Sequence, residues 1–336
     1  KKLKKYDISP LVFFASKHGI NNQKDYEFMQ KLKWDINKNV LEGYQSFFPK
    51  KQKYQINDFR IAFKDIENFL IKEKIKYILI FGWNNLHYLT SIYYANKHNI
   101  KIILRVETNL KSTKSYFKNL IKNIFLKYFF KIFSNFLVIG KLNKKFYSYH
   151  KVPSKKISDG SYFVDNDFFD LKISKKKIKS KLKINSKKIV LFVGKLISRK
   201  NPIEFLQLAK LFRNNKDIKF IMIGNGILKK ECAQYVKKNN LLNVSIKGFV
   251  NQKEIRDYYW ISDLLVVPSL YETWGLNINE AFASNTTVIC TKNCGASEDL
   301  VDNGKTGFKY NVGDLRTLYK KTNYILNNKK IKNQIS

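Results

Sequence analysis

Glu272 and Glu280 lie eight positions apart in the segment Pro268-Ser-Leu-Tyr-Glu272-Thr-Trp-Gly275-Leu-Asn-Ile-Asn-Glu280-Ala. An apolar run ends just before this segment, and a helical pattern opens at about Leu276. Gly275 lets backbone approach a ligand closely. The first N–H groups of a helix have no partner within it and carry the positive end of its dipole, which suits an anion such as a diphosphate. One acid sits on the loop before the helix and the other inside it. Carboxylates repel phosphate but accept well from hydroxyls, so the pair fits a sugar held beside a phosphate. A loop acid and a glutamate in a first helical turn can also exist with no ligand at all.

A second cluster follows the first apolar run of the second half: Phe192-Val-Gly194-Lys195-Leu-Ile-Ser-Arg199-Lys200-Asn201. Three cations after a glycine turn suit the same diphosphate. Glycine turns recur at Ile223-Gly224-Asn225-Gly226 and Gly248-Phe249-Val250. Other chemistry is sparse. His18, His87, His98 and His150 lack metal-ligand spacing, and Cys290 and Cys294 have no matching second pair, so no zinc site is expected. Asp165 and Asp167 form a D-x-D that reads as a hinge loop. No nucleophile elbow, Walker loop or kinase set is present.

The elements that must position these residues read as alternating short β-branched or aromatic runs and longer helical stretches, the mark of α/β units on parallel sheets. In the first half the spacing predicts strands at Leu11–Ala15, Tyr77–Phe81, Ile102–Val106 and Phe136–Ile139. Helices are expected over Asn57–Lys74, Leu86–His98 and Ser115–Phe133. In the second half strands are expected at Ile189–Val193, Lys219–Ile223, Val244–Ile246, Leu264–Val267 and Thr287–Cys290. Helices there should run from Pro202 to Phe212, near Leu228–Asn239, Lys253–Trp260 and Leu276–Ala283, and over about Leu315–Leu326. A length of 336 residues suits two domains. The expected division is residues 1–170, a Lys- and Ser-rich linker at 171–187, and a second domain at 188–330. Ligands in such sheets bind beyond the carboxyl ends of the strands, so both domains should face a central cleft.

The net charge is +38, and 58 of the 64 basic residues are Lys. Lys, Asn, Ile, Phe and Tyr are all abundant, as AT-rich coding would produce. Nucleic-acid readers lean on Arg, so no nucleic-acid partner is expected. Residues 1–185 carry net +25 and residues 186–330 net +12, which leaves open a first-half surface facing an anionic membrane. The helix expected at 115–133 sharpens that choice. Phe117, Leu120, Ile121, Ile124, Phe125, Phe129 and Phe133 alternate with Lys118, Lys122, Lys127 and Lys131. It reads first as a core-facing helix whose lysines extend into water, and second as a helix lying on a membrane. No apolar run is long enough to span a bilayer. Three cysteines give no disulfide framework, which points to a cytoplasmic protein.

The pair Glu272 and Glu280, with its flanks Pro268-Ser and Trp274-Gly275, resembles the E-x7-E motif of the retaining glycosyltransferases of family four. Phe192 to Asn201 resembles the family's G-R-L-x-x-x-K-G segment, with Lys195 where Arg is usual and Asn201 where Gly is usual. Gly295 and Glu298, then Gly304 and Gly307, resemble its closing segment. The likeness covers essentially all of 186–327. It implies a GT-B fold with two Rossmann-like domains and retention of anomeric configuration. A nucleotide-diphosphate sugar would be co-substrate, with no other cofactor and no required metal. It implies that Glu272 lies near the donor sugar and that Lys200 and Lys195, with Arg199, neutralise the diphosphate. Glu280 would bind the ribose hydroxyls, Gly248 and Val250 would meet the base through backbone, and Gly194, Gly275 and Leu276 would line the donor. The first half matches less: the family's first strand and glycine-rich loop have no counterpart before Leu11, so the natural start is expected to be missing.

The expected activity is therefore transfer of a sugar to a hydroxyl of a glycan or lipid-linked acceptor, as in cell-surface polysaccharide or lipopolysaccharide synthesis. Its place would be the cytoplasm or the inner face of the cell membrane. Two other readings stay open: a nucleotide-sugar epimerase of the same fold, and a non-catalytic polyanion-binding protein.

Overall fold

The computed structural model describes residues 6, 8–14, 23–25, 30–32, 44–48, 59–110 and 116–328; side chains of 23–25, 30–32, 59–64 and 116–122 are outside the description. Ala15, Asn57, Asp58 and Ser115 of the expected elements, and the side chains of Phe117, Lys118, Leu120, Ile121 and Lys122, fall outside it. The chain forms two compact units, the first mainly from 32–139 and 143–161, the second from 162 onward with 24–31 and 140–142 grouped to it.

Through residue 161 the elements are β1 (Leu11–Phe13), β2 (Gln23–Asp25), β3 (Gln30–Leu32), β4 (Gln45–Phe47), α1 (Phe59–Lys72), β5 (Tyr77–Ile80), α2 (Leu86–Lys97), β6 (Lys101–Leu104), α3 (Tyr116–Phe129), β7 (Asn135–Val138), α4 (Lys141–Tyr149) and β8 (Ile157–Asp159). In the first unit, strands β5, β6, β7 and β8 form one sheet in that order, every pairing parallel. β1 pairs separately with β4, also in parallel. β2 and β3 form a separate two-stranded sheet among the described residues. Parallel neighbours need a crossover, and α2 and α3 with α4 supply it. The core joins Ile80, Leu104, Phe136 and Val138 on the strands to Phe130, Phe133 and Tyr147 on the helical side. Arg105, at the carboxyl end of β6, donates from Nη2 to the Gly160 carbonyl at 3.1 Å.

The helix expected through Phe133 ends its α-turns at Phe129 and continues as a 3-10 turn over Phe130–Ile132. It does not turn all its apolar residues to the core. Leu126, Phe130 and Phe133 are buried, while Ile124, Phe125, Tyr128 and Ile132 are exposed. With aromatics on every side of a helix, only one stripe can face the sheet.

The second unit contains α5 (Asn166–Phe169), α6 (Lys175–Lys181), β9 (Lys188–Val193), α7 (Pro202–Leu211), β10 (Ile218–Ile223), α8 (Lys229–Lys238), β11 (Val244–Gly248), α9 (Gln252–Ile261), β12 (Leu264–Val267), α10 (Leu276–Ala283), β13 (Thr287–Thr291), α11 (Ser297–Leu300), β14 (Gly307–Tyr310) and α12 (Leu315–Asn327). Its parallel sheet runs β11-β10-β9-β12-β13-β14. Numbered from β9, that order is 3-2-1-4-5-6, the doubly wound arrangement whose chain reverses direction between its first and fourth strands. β9 and β12 carry near-continuous Ile, Val and Leu because helices cover both faces.

The stretch 171–187 is not a free linker. It holds α6, which buries Ile178 and packs on α9. Lys181 Nζ meets Asp257 Oδ2 at 2.6 Å, and Trp260 Nε1 donates to the Ile173 carbonyl at 2.7 Å. Residues 162–170, expected in the first domain, also pack with the second unit: Phe169 lies against Tyr259, and Ser284 Oγ donates to the Phe169 carbonyl. The boundary therefore falls near 161. Lysines obscured this helix, since only Ile178 in its seven residues seeks a core.

Candidate active site

The loops carrying both sequence clusters leave the sheet at the switch point. Gly194 to Lys200 follows β9, and Pro268 to Gly275 follows its neighbour β12. At this point adjacent loops diverge to opposite faces and open a crevice.

Hydrogen bonds tie the loops together. Leu270 N donates to the Arg199 carbonyl at 2.9 Å, and Asn277 Nδ2 donates to the Val193 carbonyl at 3.1 Å. On the far side, Gly295 N donates to the Glu272 carbonyl at 3.0 Å and Ala296 N to the Trp274 carbonyl at 2.7 Å. A Cβ at Gly295 would lie 1.9 Å from the Thr273 carbonyl oxygen, so only glycine permits this approach. Gly275 has φ +102°, and a Cβ there would fall 2.6 Å from Cys294 Sγ. It precedes Leu276, the first residue of α10, and no side chain caps that helix. The loop around Glu272 is thus held from both flanks.

Glu272 is buried, at 6% exposure. Its carboxylate accepts from Arg199 Nη1 at 3.1 Å and from Lys200 Nζ. Two cations on one carboxylate leave a surplus positive charge at the loop junction. Asn201, after Lys200, adopts a left-handed conformation with φ 51° at the start of α7. That conformation accepts Gly or Asn most readily, which explains the Asn where the family segment has Gly. Asn201 Nδ2 also donates to Glu204, a buried acid bonded to Gly313 N and pushed up from the ordinary carboxylate range by burial.

Glu280 lies one turn into α10 and is partly buried. The Tyr259 hydroxyl on α9 donates to its Oε2 at 2.7 Å. Burial raises the Glu280 carboxyl above its ordinary value, and the Tyr259 bond opposes the rise. Tyr259 is fully buried and its phenol is held well above its ordinary value, first by burial and then by Glu280. Asn277 adds an acceptor. Its Nδ2 is committed to the Val193 carbonyl, so Oδ1 is the free end, buried and without a partner among the described residues. Buried acceptors without partners are costly and mark places where a ligand group fits.

Lys195 follows Gly194 in the same loop. Gly194 N donates to the Ile223 carbonyl, and Leu196 N to the Asn225 carbonyl, so this loop packs on the Gly224–Gly226 turn. Gly224 in turn donates to the Gly248 carbonyl at 2.7 Å, and Gly248 has φ +74°. Val250 follows in the loop to α9. Gly194, Lys195, Gly248 and Val250 thus all lie at or beyond the carboxyl ends of β9 and β11. Sequence reasoning missed Tyr259 and Asn277. Tyr259 sits in the run Tyr258-Tyr259-Trp260, where nothing marks which ring turns inward.

Among the described residues no group of three or more His, Cys, Asp or Glu could hold a metal ion. Cys290 and Cys294 are buried and reduced, and burial pushes the Cys294 thiol up to about 12.

Residues 174–336 match the family model described as "Glycosyl transferases group 1". A 2-deoxystreptamine N-acetyl-D-glucosaminyltransferase of Niallia circulans is 29% identical over 150 residues, 44% of this chain and 38% of that protein. A Campylobacter jejuni N-acetyl-D-galactosaminyltransferase, named for a diphosphate-undecaprenol-linked glycan, is 24% identical over 200 residues, 59% of this chain and 52% of that protein. The chain matches about two fifths of the length of the first of these relatives. Among solved structures, a glycosyltransferase from Rickettsia africae ESF-5 superposes with a TM-score of 0.72 at 18% identity, covering 99% of this chain and 86% of that one. Anabaena Alr3699/HepE in complex with UDP and glucose superposes at 0.68 with 15% identity, covering 87% and 78%. The second half of the chain is thus similar in sequence to the group 1 glycosyltransferases, and the chain has the α/β fold of the GT-B glycosyltransferases.

Proposed function

We propose that this protein moves a sugar from a nucleotide-diphosphate donor to a hydroxyl acceptor with retention of configuration. One observation carries the reading: Glu272 and Glu280 bracket the start of α10 at the switch point of the second sheet, with Lys200 and Arg199 gathered on Glu272.

The donor lies on the second unit. Its diphosphate meets the surplus positive charge of Lys200, Arg199 and Lys195 and the open N–H groups at Gly275–Leu276. As the sugar–phosphate bond breaks, negative charge builds on the departing diphosphate while the sugar gains oxocarbenium character. Cations already fixed in place stabilise that charge without reorganising, and no metal is required. Glu272 accepts from hydroxyls of the donor sugar. Glu280, steered by Tyr259, accepts from the ribose, while Gly248 and Val250 present backbone to the base. Gly194 leaves room for the donor beside Lys195. Asn277 Oδ1 is a further acceptor for a donor hydroxyl.

The acceptor is a glycan or a lipid-linked glycan taken up by the first unit, as in cell-surface polysaccharide or lipopolysaccharide synthesis at the cytoplasmic membrane face. The lipid-linked glycan in the name of the Campylobacter jejuni relative supports this class; the UDP complex of the Anabaena structure supports a nucleotide diphosphate as leaving group. Ligand-observed NMR against a panel of nucleotide sugars tests the donor. Saturation transfer to at least one nucleotide sugar, reduced in Glu280→Ala, is expected. Equal transfer to the Glu280→Ala variant would overturn the assignment.

A further inference from the structure

Glu204 lies outside the set of residues assigned to the donor, yet it is only 3% exposed at the third position of α7. The groups that bear most on its ionisation are Gly313, Tyr310, Asn201 and Asp314, none of them a cation. Burying a carboxylate without an opposite charge is costly. The start of α7 offsets part of that cost, because the helix dipole favours an acid in the first turn. An exposed acid there would gain the same benefit without the burial, so the helix alone does not account for Glu204.

Its hydrogen bonds do. Glu204 Oε1 accepts from Gly313 N at 3.2 Å, and Oε2 accepts from Asn201 Nδ2. Gly313 lies in the turn before α12, a helix capped by the Asp314 side chain. α7 and α12 share one core through Phe205, Leu206, Leu318 and Ile325, so Glu204 is fixed to a rigid frame. Asn201 belongs to the loop instead. It holds φ 51° and ψ 52°, which residues with a side chain adopt only at a cost. Its N–H donates to the Ser198 carbonyl at 3.0 Å and closes the 3-10 turn Ser198–Lys200. That turn carries Arg199 and Lys200, the two cations on Glu272. The bond from Asn201 to Glu204 offsets the backbone cost and keeps the turn wound.

We infer that Glu204 is a positioning residue for the donor diphosphate: through Asn201 it holds Arg199 and Lys200 in place without touching the donor. The inference rests on the donor reading above. Cations stabilise a departing phosphate best when they need not reorganise, and a misplacement of about 1 Å forfeits much of that benefit.

UDP, GDP and ADP are titrated calorimetrically onto the full chain, and the tightest of them is compared with its parent nucleoside by saturation-transfer NMR. Glu204→Ala and Asn201→Gly are made singly and together. Glycine accepts the left-handed conformation, so Asn201→Gly removes the tie and not the turn. It also leaves the bond from Gly313 to Glu204 in place, and so reads the tie even where Glu204→Ala melts early. Each single variant should bind the diphosphate about fivefold more weakly, with nucleoside binding unchanged. The double variant should bind no more weakly than the weaker single one, because the two residues form one path. Losses that add in the double variant, an equal loss of nucleoside binding, or unchanged diphosphate affinity in both single variants would overturn the inference. If Lys200→Ala lowers affinity in the same titrations, the donor reading stands without it. No nucleoside diphosphate binding by wild type would overturn both.

Discussion

The hydroxyl of Tyr259 donates to Glu280 Oε2 at 2.7 Å, joining the hidden face of α9 to α10. One carboxylate oxygen is thereby fixed, and the direction of the other is set. Tyr259→Phe keeps the ring in its buried place and removes only the hydrogen bond. Losing about 1 kcal/mol of orientation should weaken nucleoside diphosphate binding about fivefold. The decisive readout is discrimination. Wild type should prefer the ribonucleotide over its deoxyribose analogue more strongly than Tyr259→Phe does. Identical preference by calorimetry would reduce Tyr259 to a packing residue.

Glu280 also carries a pH signature. Burial raises its carboxyl in the folded state, so the folded chain holds this proton to higher pH than the unfolded chain. Such a group costs stability as pH rises from the ordinary glutamate value, about 4.3, through the raised one. Glu280→Gln removes the ionisation and can still accept from Tyr259. Its melting temperature should match wild type near pH 4 and exceed it increasingly towards pH 8, while nucleotide binding falls. A gap that does not change with pH would contradict the burial argument.

Lys200 and Lys195 separate by position. Lys200 has only 18% of its side chain exposed and is already held on Glu272. Lys200→Ala should lower sugar transfer by about a hundredfold, within the range for removing one fixed charge-stabilising donor. Lys195→Ala should cost less. Initial rates at saturating donor measure both, and the reverse order would move the main diphosphate contact to Lys195.

Gly275→Ala introduces a side chain at φ +102° and 2.6 Å from Cys294 Sγ. Strain of this kind costs about 1–3 kcal/mol. A fall in melting temperature of about 2–4 °C per kcal/mol should appear by differential scanning fluorimetry. An unchanged midpoint would mean the loop relaxes freely, against the hydrogen bonds that clamp it to Gly295 and Ala296.

The second sheet was legible because its strands are buried on both faces. Ile189 to Val193 and Leu264 to Val267 are unbroken apolar runs ending in turn residues, and the structure places strands there. Several other elements left no such trace, α4, α6 and β14 among them. α4 carries Phe146 and Tyr147 inward but is otherwise lysine-rich and polar. α6 has one apolar anchor in a run of lysines. β14 spans four residues and opens on Gly307, whose missing Cβ leaves room for the Val288 carbonyl. Within the site, Glu272, Glu280 and the cations were named by motifs that resemble a known family's, whereas Tyr259 and Asn277 emerge only from packing. A side chain that acts through a neighbour on another helix has no spacing to betray it.

The most direct test of the donor site is titration calorimetry of UDP onto the full chain and its Glu280→Ala variant. Wild type should bind measurably, and Glu280→Ala should bind at least about fivefold more weakly, from lost hydrogen bonds to the ribose. Equal affinities, or no binding of any nucleoside diphosphate by wild type, would contradict the donor site.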